Sequence, residues 1–305
     1  MASPSIASGA VKVRANRSWA GQIAESFFAV LFPSDCRICG TPLVRISRLP
    51  VCQECLDAMP AIAGGVCIVC GERLFSPYAF TSGPEEARCG LCRRIEPPFA
   101  RAAAYGSYES GLRELIHLLK YGGVRPAANV LGRMLAEAIT TLEPEFRAYS
   151  VAVIPVPLHR TKLRQRGFNQ AELIASGAMK LSQPGSRLRL CAGVLERKRD
   201  TASQIGLTSH QRRENLRGAF GVAQPELVKG REVLVVDDVY TTGTTVSECS
   251  KVLRRAGATK VWVATVARTL KISAQHAEIG PGHEDSQLDE RIGADAVPMA
   301  KAVGT

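Results

Sequence analysis

The sequence predicts an α/β chain whose mainly parallel sheet is covered by helices on both faces, with a small cysteine-rich ribbon module ahead of it. Three observations predict this. Short apolar runs at 151–154, 233–236 and 260–266 alternate with stretches of helical period, the pattern of βαβ units. Four Cys-x-x-Cys pairs crowd into the region before residue 95. Composition is globular, with 46% apolar and 22% charged residues among 305, enough chain to bury a full core without covalent staples.

Residues 1–17 are Ser/Ala-rich and basic, without period, and read as a disordered tail. Trp19, Ile23, Phe27, Val30 and Leu31 then recur at helical spacing. They predict a short amphipathic helix leading into Pro33 and the first cysteine pair. Its apolar stretch is broken by Glu25 and Ser26 and falls short of the ~20 residues that span a bilayer. No small-residue cleavage site follows. The expectation is a cytoplasmic chain with no transmembrane segment.

The cysteines define the module at 18–95. Eight form the pairs Cys36/Cys39, Cys52/Cys55, Cys67/Cys70 and Cys89/Cys92, while Cys191 and Cys249 stand alone among apolar residues. A two-residue gap turns both sulfurs toward one cation, and two such knuckles close a tetrahedral zinc site. The stretches between knuckles, 12 residues after Cys39 and 18 after Cys70, fall in the zinc-ribbon range. Zinc is favoured over an iron–sulfur or redox role, and nothing suggests the secreted setting of a disulfide framework. Two zinc ions are expected. With four thiolates each they leave no open coordination position, so their role is structural. Sequential pairing of knuckles is the simpler arrangement; spacing leaves a cross-brace open.

Pro97-Pro98 makes a stiff joint into the main domain at 99–270. Leu112, Leu115, Ile116 and Leu119 share one face of a helix over 110–120, which ends at Tyr121-Gly122-Gly123. A second helix follows Pro126 through Leu131, Leu135 and Ile139. A buried strand at 151–154 is bounded by Pro155 and Pro157, and a basic loop leads from it to a helix over 171–179. The strand at 233–236, a helix over 244–256 and the strand at 260–266 complete the domain. Residues 271–305 are Gly/Ala-rich and acidic, with no period, and read as a flexible tail.

The chemistry concentrates after the 233–236 strand. There the chain reads Asp237-Asp238-Val-Tyr-Thr241-Thr242-Gly243-Thr244-Thr245. Ligands of parallel α/β sheets bind at this carboxyl edge. Backbone N–H groups and hydroxyls of a small-residue loop opening a helix suit a phosphate dianion, and Gly243 permits a positive φ and close backbone approach. The two carboxylates would accept hydrogen bonds from the hydroxyls of a ribose whose 5′-phosphate sits in the loop. Neither a G-x-x-x-x-G-K-[ST] P-loop nor a G-x-G-x-x-G dinucleotide fingerprint is present.

This segment closely resembles the phosphoribosyl pyrophosphate (PRPP) motif of type I phosphoribosyltransferases. Further stretches resemble the ComF family: Pro155-Val-Pro157-Leu-His159-Arg160, Arg164-Gln-Arg166-Gly167-Phe168-Asn169-Gln170, Arg199-Asp-Thr201-Ala-Ser-Gln204, Arg213-Glu-Asn215 and Leu115-Ile-His117-Leu-Leu-Lys120-Tyr121. The resemblance covers about residues 20–270. It implies a type I phosphoribosyltransferase-like fold behind a double zinc ribbon, with PRPP and Mg²⁺ as ligands. It places the ribose hydroxyls on Asp237 and Asp238, the 5′-phosphate on Thr241, Thr242, Gly243, Thr244 and Thr245, and the pyrophosphate by Arg160, Lys162, Arg164 and Arg166. A basic segment at 197–217 would be a mobile flap. Some members serve natural transformation, which makes single-stranded DNA and other DNA-uptake proteins expected partners.

Charge bears on the same question. The chain carries a net +11, and residues 158–217 hold thirteen basic against four acidic side chains, a field that attracts polyanions. Three readings follow: a transferase moving phosphoribosyl to an unidentified acceptor, a single-stranded DNA-handling protein that uses PRPP as a ligand, or a zinc-dependent interaction module with a vestigial site. The intact Asp-Asp-x-x-Thr-Thr-Gly loop disfavours the last. His117 and His159 are candidate acid–base groups. Tyr105, Tyr108 and Tyr121 are candidate stacking rings, with core packing the competing role.

Overall fold

A computed structural model describes residues 35–43, 47–74, 87–181, 186–200 and 209–270. The expected tails at 1–17 and 271–305, and the expected amphipathic helix at 19–31, lie outside the described residues.

Among the described residues, the ribbon region carries two short helices, α1 (Gln53–Asp57) and α2 (Gly90–Arg94). The main domain opens with β1 (Arg101–Ser107), followed by α3 (Ser110–Lys120) and α4 (Ala127–Thr140). Next come β2 (Val151–Pro155), α5 (Arg160–Arg166), α6 (Gln170–Met179) and the short strands β3 (Leu188–Leu190) and β4 (Leu195–Arg197). Helix α7 (Ser209–Leu216), β5 (Phe220–Val222), β6 (Glu232–Tyr240), α8 (Thr244–Arg255) and β7 (Lys260–Arg268) complete it.

Five strands form one sheet in the order β1-β7-β6-β2-β3, every pair parallel. The alternation of side chains along β6 explains why both faces are covered. Leu234 and Val236 point into a core with Leu131, Leu135 and Ile174 of α4 and α6, while Val233 and Val235 point into one with Val246, Cys249 and Leu253 of α8. All four strand residues are fully buried, each contributing roughly 1.5–3 kcal/mol. Helices α4 and α6 cross where two glycines meet: a Cβ on Gly132 would stand 2.8 Å from Ala178 N. Any side chain there would force the layer apart.

Register sets the working edge. Pro155, which ends β2, pairs with Val236, and Asp237 pairs with Thr265 of β7. The chain leaving β2 and the acidic pair therefore emerge side by side.

Two expectations need correction, and two features were not foreseen. The basic loop at 160–166 is a helix, started by His159, whose Nδ1 accepts the Thr161 N–H at 3.4 Å, and stopped by Gly167 at φ 75°. Strand β6 does not end at the acidic pair. It pairs with β7 as far as Tyr240↔Arg268, so both carboxylates lie within the strand. Strand β1, on one edge of the sheet, was not foreseen, because Arg101-Ala-Ala-Ala-Tyr-Gly-Ser lacks β-branched residues. Finally, β4 and β5 pair antiparallel, Leu195 opposite Val222, and bracket most of the basic segment expected to be a flap. Its residues 201–208 lie outside the described residues.

Candidate functional site

Asp237 and Asp238 are 8% and 4% exposed. The Asp238 backbone N–H donates to Asp237 Oδ1 at 2.9 Å, and the Lys120 ammonium forms an ion pair with Asp238 Oδ2. Lys120 reaches this point because it is the last residue of α3, whose apolar face (Leu112, Leu115, Ile116, Leu119) anchors the helix in the core. The two carboxylates behave differently. Burial, and then the neighbouring Asp238 charge, hold Asp237 well above the usual carboxylate range. Burial also opposes ionisation of Asp238, but Lys120 prevails and keeps it below that range. The pair thus offers one carboxylate compensated by Lys120 and one, Asp237, whose ionisation an incoming donor or cation favours.

The loop after β6 turns at Gly243, φ 74°, which caps α8. A Cβ there would overlap the Tyr240 ring, 2.6 Å from Cζ, so both conformation and space demand glycine. Thr242 and Thr244 hydroxyls lie 2.8 Å apart. No side chain caps α8, and Arg254 and Arg255 sit in its last turn. The helix dipole therefore points its positive end into the threonine loop, favouring an anion there. Thr244 is buried, Thr242 and Thr245 are half-buried and Thr241 is exposed.

The basic residues of α5 divide. Arg160 and Arg164 are exposed. Arg166 lies with its guanidinium 5.6 Å from the Tyr121 ring centroid, and its Nη1 donates to Gln170 Oε1 at 2.6 Å. The Lys162 ammonium is held below its usual range by burial and then by the Arg197 charge, with Arg166 and Lys120 adding to it. Arg197, at the end of β4, is lowered by burial while Asp237 pulls the other way. Lys120 and Arg197 thus belong to the electrostatic surroundings of the acidic pair, and neither was singled out from the sequence as a site residue. Lys120 carried a signal, since it closes an amphipathic helix just before a glycine pair. Arg197 carried none beyond its place in a basic run.

The other candidates resolve by contact. His117 Nε2 lies 2.9 Å from the Tyr108 hydroxyl, and its ring meets Tyr121 edge-on at 5.2 Å. The Tyr105 hydroxyl donates to the Met59 carbonyl at 3.0 Å, linking sheet to ribbon. Tyr121 is 67% exposed.

The eight paired cysteines form two tetrads, Cys36/Cys39/Cys52/Cys55 and Cys67/Cys70/Cys89/Cys92, with the sulfurs of each within 4.8 Å of one another. Knuckles pair sequentially. The Sγ–Sγ separations are 3.9 Å for Cys36–Cys55, 3.7 Å for Cys39–Cys52 and 3.6 Å for Cys70–Cys89. A tetrahedron with Zn–S bonds of about 2.3 Å has edges of about 3.8 Å, so both tetrads fit structural zinc.

A double zinc ribbon domain matches residues 27–96 and a phosphoribosyl transferase domain matches residues 171–283. The DNA utilization protein YhgH of Escherichia coli O157:H7 is 34% identical over 247 residues, covering 78% of this chain and 98% of that protein. Competence protein F of Haemophilus influenzae is 32% identical over 227 residues, 71% of this chain and 96% of that protein. The chain belongs to the ComF family. Competence protein ComFC of Bacillus subtilis is 23% identical over 209 residues, 68% and 79%. The transferase-domain match in this ComF-family chain takes in the acidic pair and threonine loop but begins after α5. Among the described residues, no helix is long and apolar enough to cross a membrane.

Proposed function

We propose that this ComF-family chain binds PRPP with Mg²⁺ at the carboxyl edge of its sheet and transfers the phosphoribosyl group to an acceptor. The observation that carries the reading is the buried Asp237–Asp238 pair on β6, placed just ahead of the Gly243-capped start of α8. The 5′-phosphate takes the first-turn amides of α8 and the hydroxyls of Thr241, Thr242, Thr244 and Thr245. Ribose hydroxyls donate to Asp237 and Asp238. The pyrophosphate lies toward α5, where Arg160, Lys162, Arg164 and Arg166 supply positive charge.

Transfer breaks the bond between C1 and the pyrophosphate oxygen and forms one from C1 to the acceptor's nucleophilic atom. The centre between them is oxocarbenium-like, so the protein's work is positioning and charge stabilisation. Carboxylate and phosphate oxygens are the hard donors Mg²⁺ prefers, and Mg²⁺ supplies charge neutralisation on the pyrophosphate when bound. Calorimetry with Mg–PRPP tests the assignment: wild type binds, and Asp237→Asn with Asp238→Asn does not. Equal affinities would sink it.

A second reading is favoured by what relatives are named for, DNA utilization and competence, together with the basic 158–217 stretch. In it, the chain handles single-stranded DNA in the cytoplasm beside other DNA-uptake proteins, with PRPP as a ligand and not a substrate. Pyrophosphate release across a panel of acceptors separates the two.

A further inference from the structure

Arg268 ends β7 and is 2% exposed. It joins two parts of the chain with separate roles. On one side its Nη2 donates to Glu72 Oε2 at 2.7 Å, and its Nη1 donates to the Cys70 carbonyl oxygen. Both acceptors belong to the third cysteine knuckle, which supplies half of the second tetrad. On the other side its guanidinium carbon stands 4.9 Å from the Tyr240 ring centroid. Tyr240 meets Phe99 edge-on at 6.5 Å, and its ring fills the space where a Cβ of Gly243 would go. The knuckle also presses on the sheet directly. Ala102 donates its N–H to the Val69 carbonyl at 2.7 Å, and a Cβ on Gly71 would come within 3.0 Å of the Ala102 carbonyl oxygen.

A guanidinium this deeply buried is tolerated only while its acceptors hold their places. The knuckle backbone fixes them, Gly71 donating to the Cys67 carbonyl at 2.8 Å and Cys67 to the Glu72 carbonyl at 2.7 Å. That backbone keeps its shape while a metal draws the cysteines together. We infer that the second zinc site and the Thr241–Thr245 loop are thermodynamically coupled, with Arg268 and Tyr240 as positioning residues between them. Loss of zinc from Cys67, Cys70, Cys89 and Cys92 frees the Cys70 and Glu72 acceptors, releases Arg268 from its seat over Tyr240 and removes the wall behind Gly243. By reciprocity, a ligand that orders the loop retains that zinc. The first tetrad packs instead at the start of α3, where Ile38, between Cys36 and Cys39, has its Cδ1 3.7 Å from where a Cβ on Gly111 would lie, at the opposite end of the helix from Lys120, and it serves as the comparison.

The inference rests on the loop being the PRPP site, so the experiment reads the two ideas separately. The full chain is treated with a zinc chelator and a thiol-alkylating reagent, with and without saturating Mg–PRPP. Peptide mass spectrometry then gives the labelling rate of each cysteine. The expected result is labelling of Cys67, Cys70, Cys89 and Cys92 slowed about fivefold or more, the lower end of ordinary coupling, with Cys36, Cys39, Cys52 and Cys55 unchanged. Tyr240→Leu should lose this selectivity at saturating ligand, and Tyr240→Phe, which keeps the ring, should retain it. Equal protection of both tetrads, or of neither, in a wild type that binds PRPP by calorimetry overturns the coupling alone. A wild type that binds no PRPP overturns the proposed function instead. The wild-type result decides the matter even if Tyr240→Leu fails to fold.

Discussion

The Lys120 ammonium pairs with the Asp238 carboxylate, joining the last residue of α3 to the far half of β6. Helix α3 is thereby part of the site and not only a cover for the sheet. The pair also divides labour between adjacent carboxylates: Asp238 is compensated in the free protein and Asp237 is not.

Removing Lys120 should therefore cost stability before it costs anything else. Lys120→Met leaves Asp238 buried without its counter-charge, and breaking such a pair costs on the order of 3 kcal/mol. Denaturant unfolding of Lys120→Met and of Lys120→Met with Asp238→Asn checks this. The double variant should regain most of the loss, because no lone charge remains buried. If the single variant is as stable as wild type, the pair contributes nothing.

Ligand binding should release a proton. Asp237 is held well above the usual range by burial and by Asp238, so it keeps its proton to higher pH than an ordinary carboxylate, and a ribose hydroxyl or a cation favours its loss. The sign follows: PRPP affinity rises with pH until Asp237 is ionised in the free protein, and is flat above that. Calorimetry in buffers of different ionisation enthalpy, across the range where affinity changes and with the protons exchanged by Mg–PRPP itself subtracted, reads the proton directly. A zero proton count would show Asp237 already ionised.

These features differ in how far the sequence discloses them. The alternation of apolar runs and helical periods marks β2, β6, β7, α3 and α8, because each is buried on a face that its own residues declare. Strand β1 is hidden, since Arg101-Ala-Ala-Ala-Tyr-Gly-Ser owes its place to pairing with β7 and to the zinc knuckle beneath it. The α5 segment reads as a basic loop because Arg-Thr-Lys-Leu-Arg-Gln-Arg has one apolar residue, and its helix is set by His159 and Gly167 at its ends. The acidic pair and threonine loop are local in sequence and legible there. Lys120 and Arg197 meet the pair only through tertiary structure: the local sequence marks Lys120 as a helix end within the Leu115–Tyr121 motif, but neither residue's partner can be read from it.

Gly243→Ala should damage the site more than the fold. A side chain at φ 74° costs about 1–3 kcal/mol, and here it also overlaps Tyr240. Thermal unfolding should fall modestly while PRPP affinity falls sharply, because the first-turn amides of α8 shift. Unchanged affinity in a folded Gly243→Ala protein would argue that the loop holds no phosphate.

Metal analysis should return two zinc ions per chain, one for each tetrad. Chelation should expose the ribbon without melting the sheet: Cys36, Val51 and Met59 share a core with Leu234 and Val236, but most residues of that core come from the sheet and its helices. Amide exchange locates the boundary: Ala102, whose N–H reaches the Val69 carbonyl, should lose protection, whereas Val235 should keep it. Loss of protection across β6 would mean that the ribbon and sheet fold as one unit.

Single-stranded DNA should bind the basic face weakly and without sequence preference, in competition with PRPP. The argument is electrostatic. Arg160 and Arg164 are exposed on α5, and residues 158–217 carry a net +9, so several phosphates can be neutralised with release of their counterions. Affinity then falls by roughly 0.7 log units per phosphate contact for each decade of salt. Stacking should add little, because Phe168, the one aromatic residue in that stretch, is buried. Fluorescence anisotropy with a labelled oligonucleotide across a salt series measures the slope. Reversing charge with Arg160→Glu and Arg164→Glu should lower affinity at low salt and reduce the slope by about 1–2 contacts' worth. If both variants bind as wild type does, these two exposed arginines contribute nothing to DNA affinity. The transferase reading would then stand without help from them.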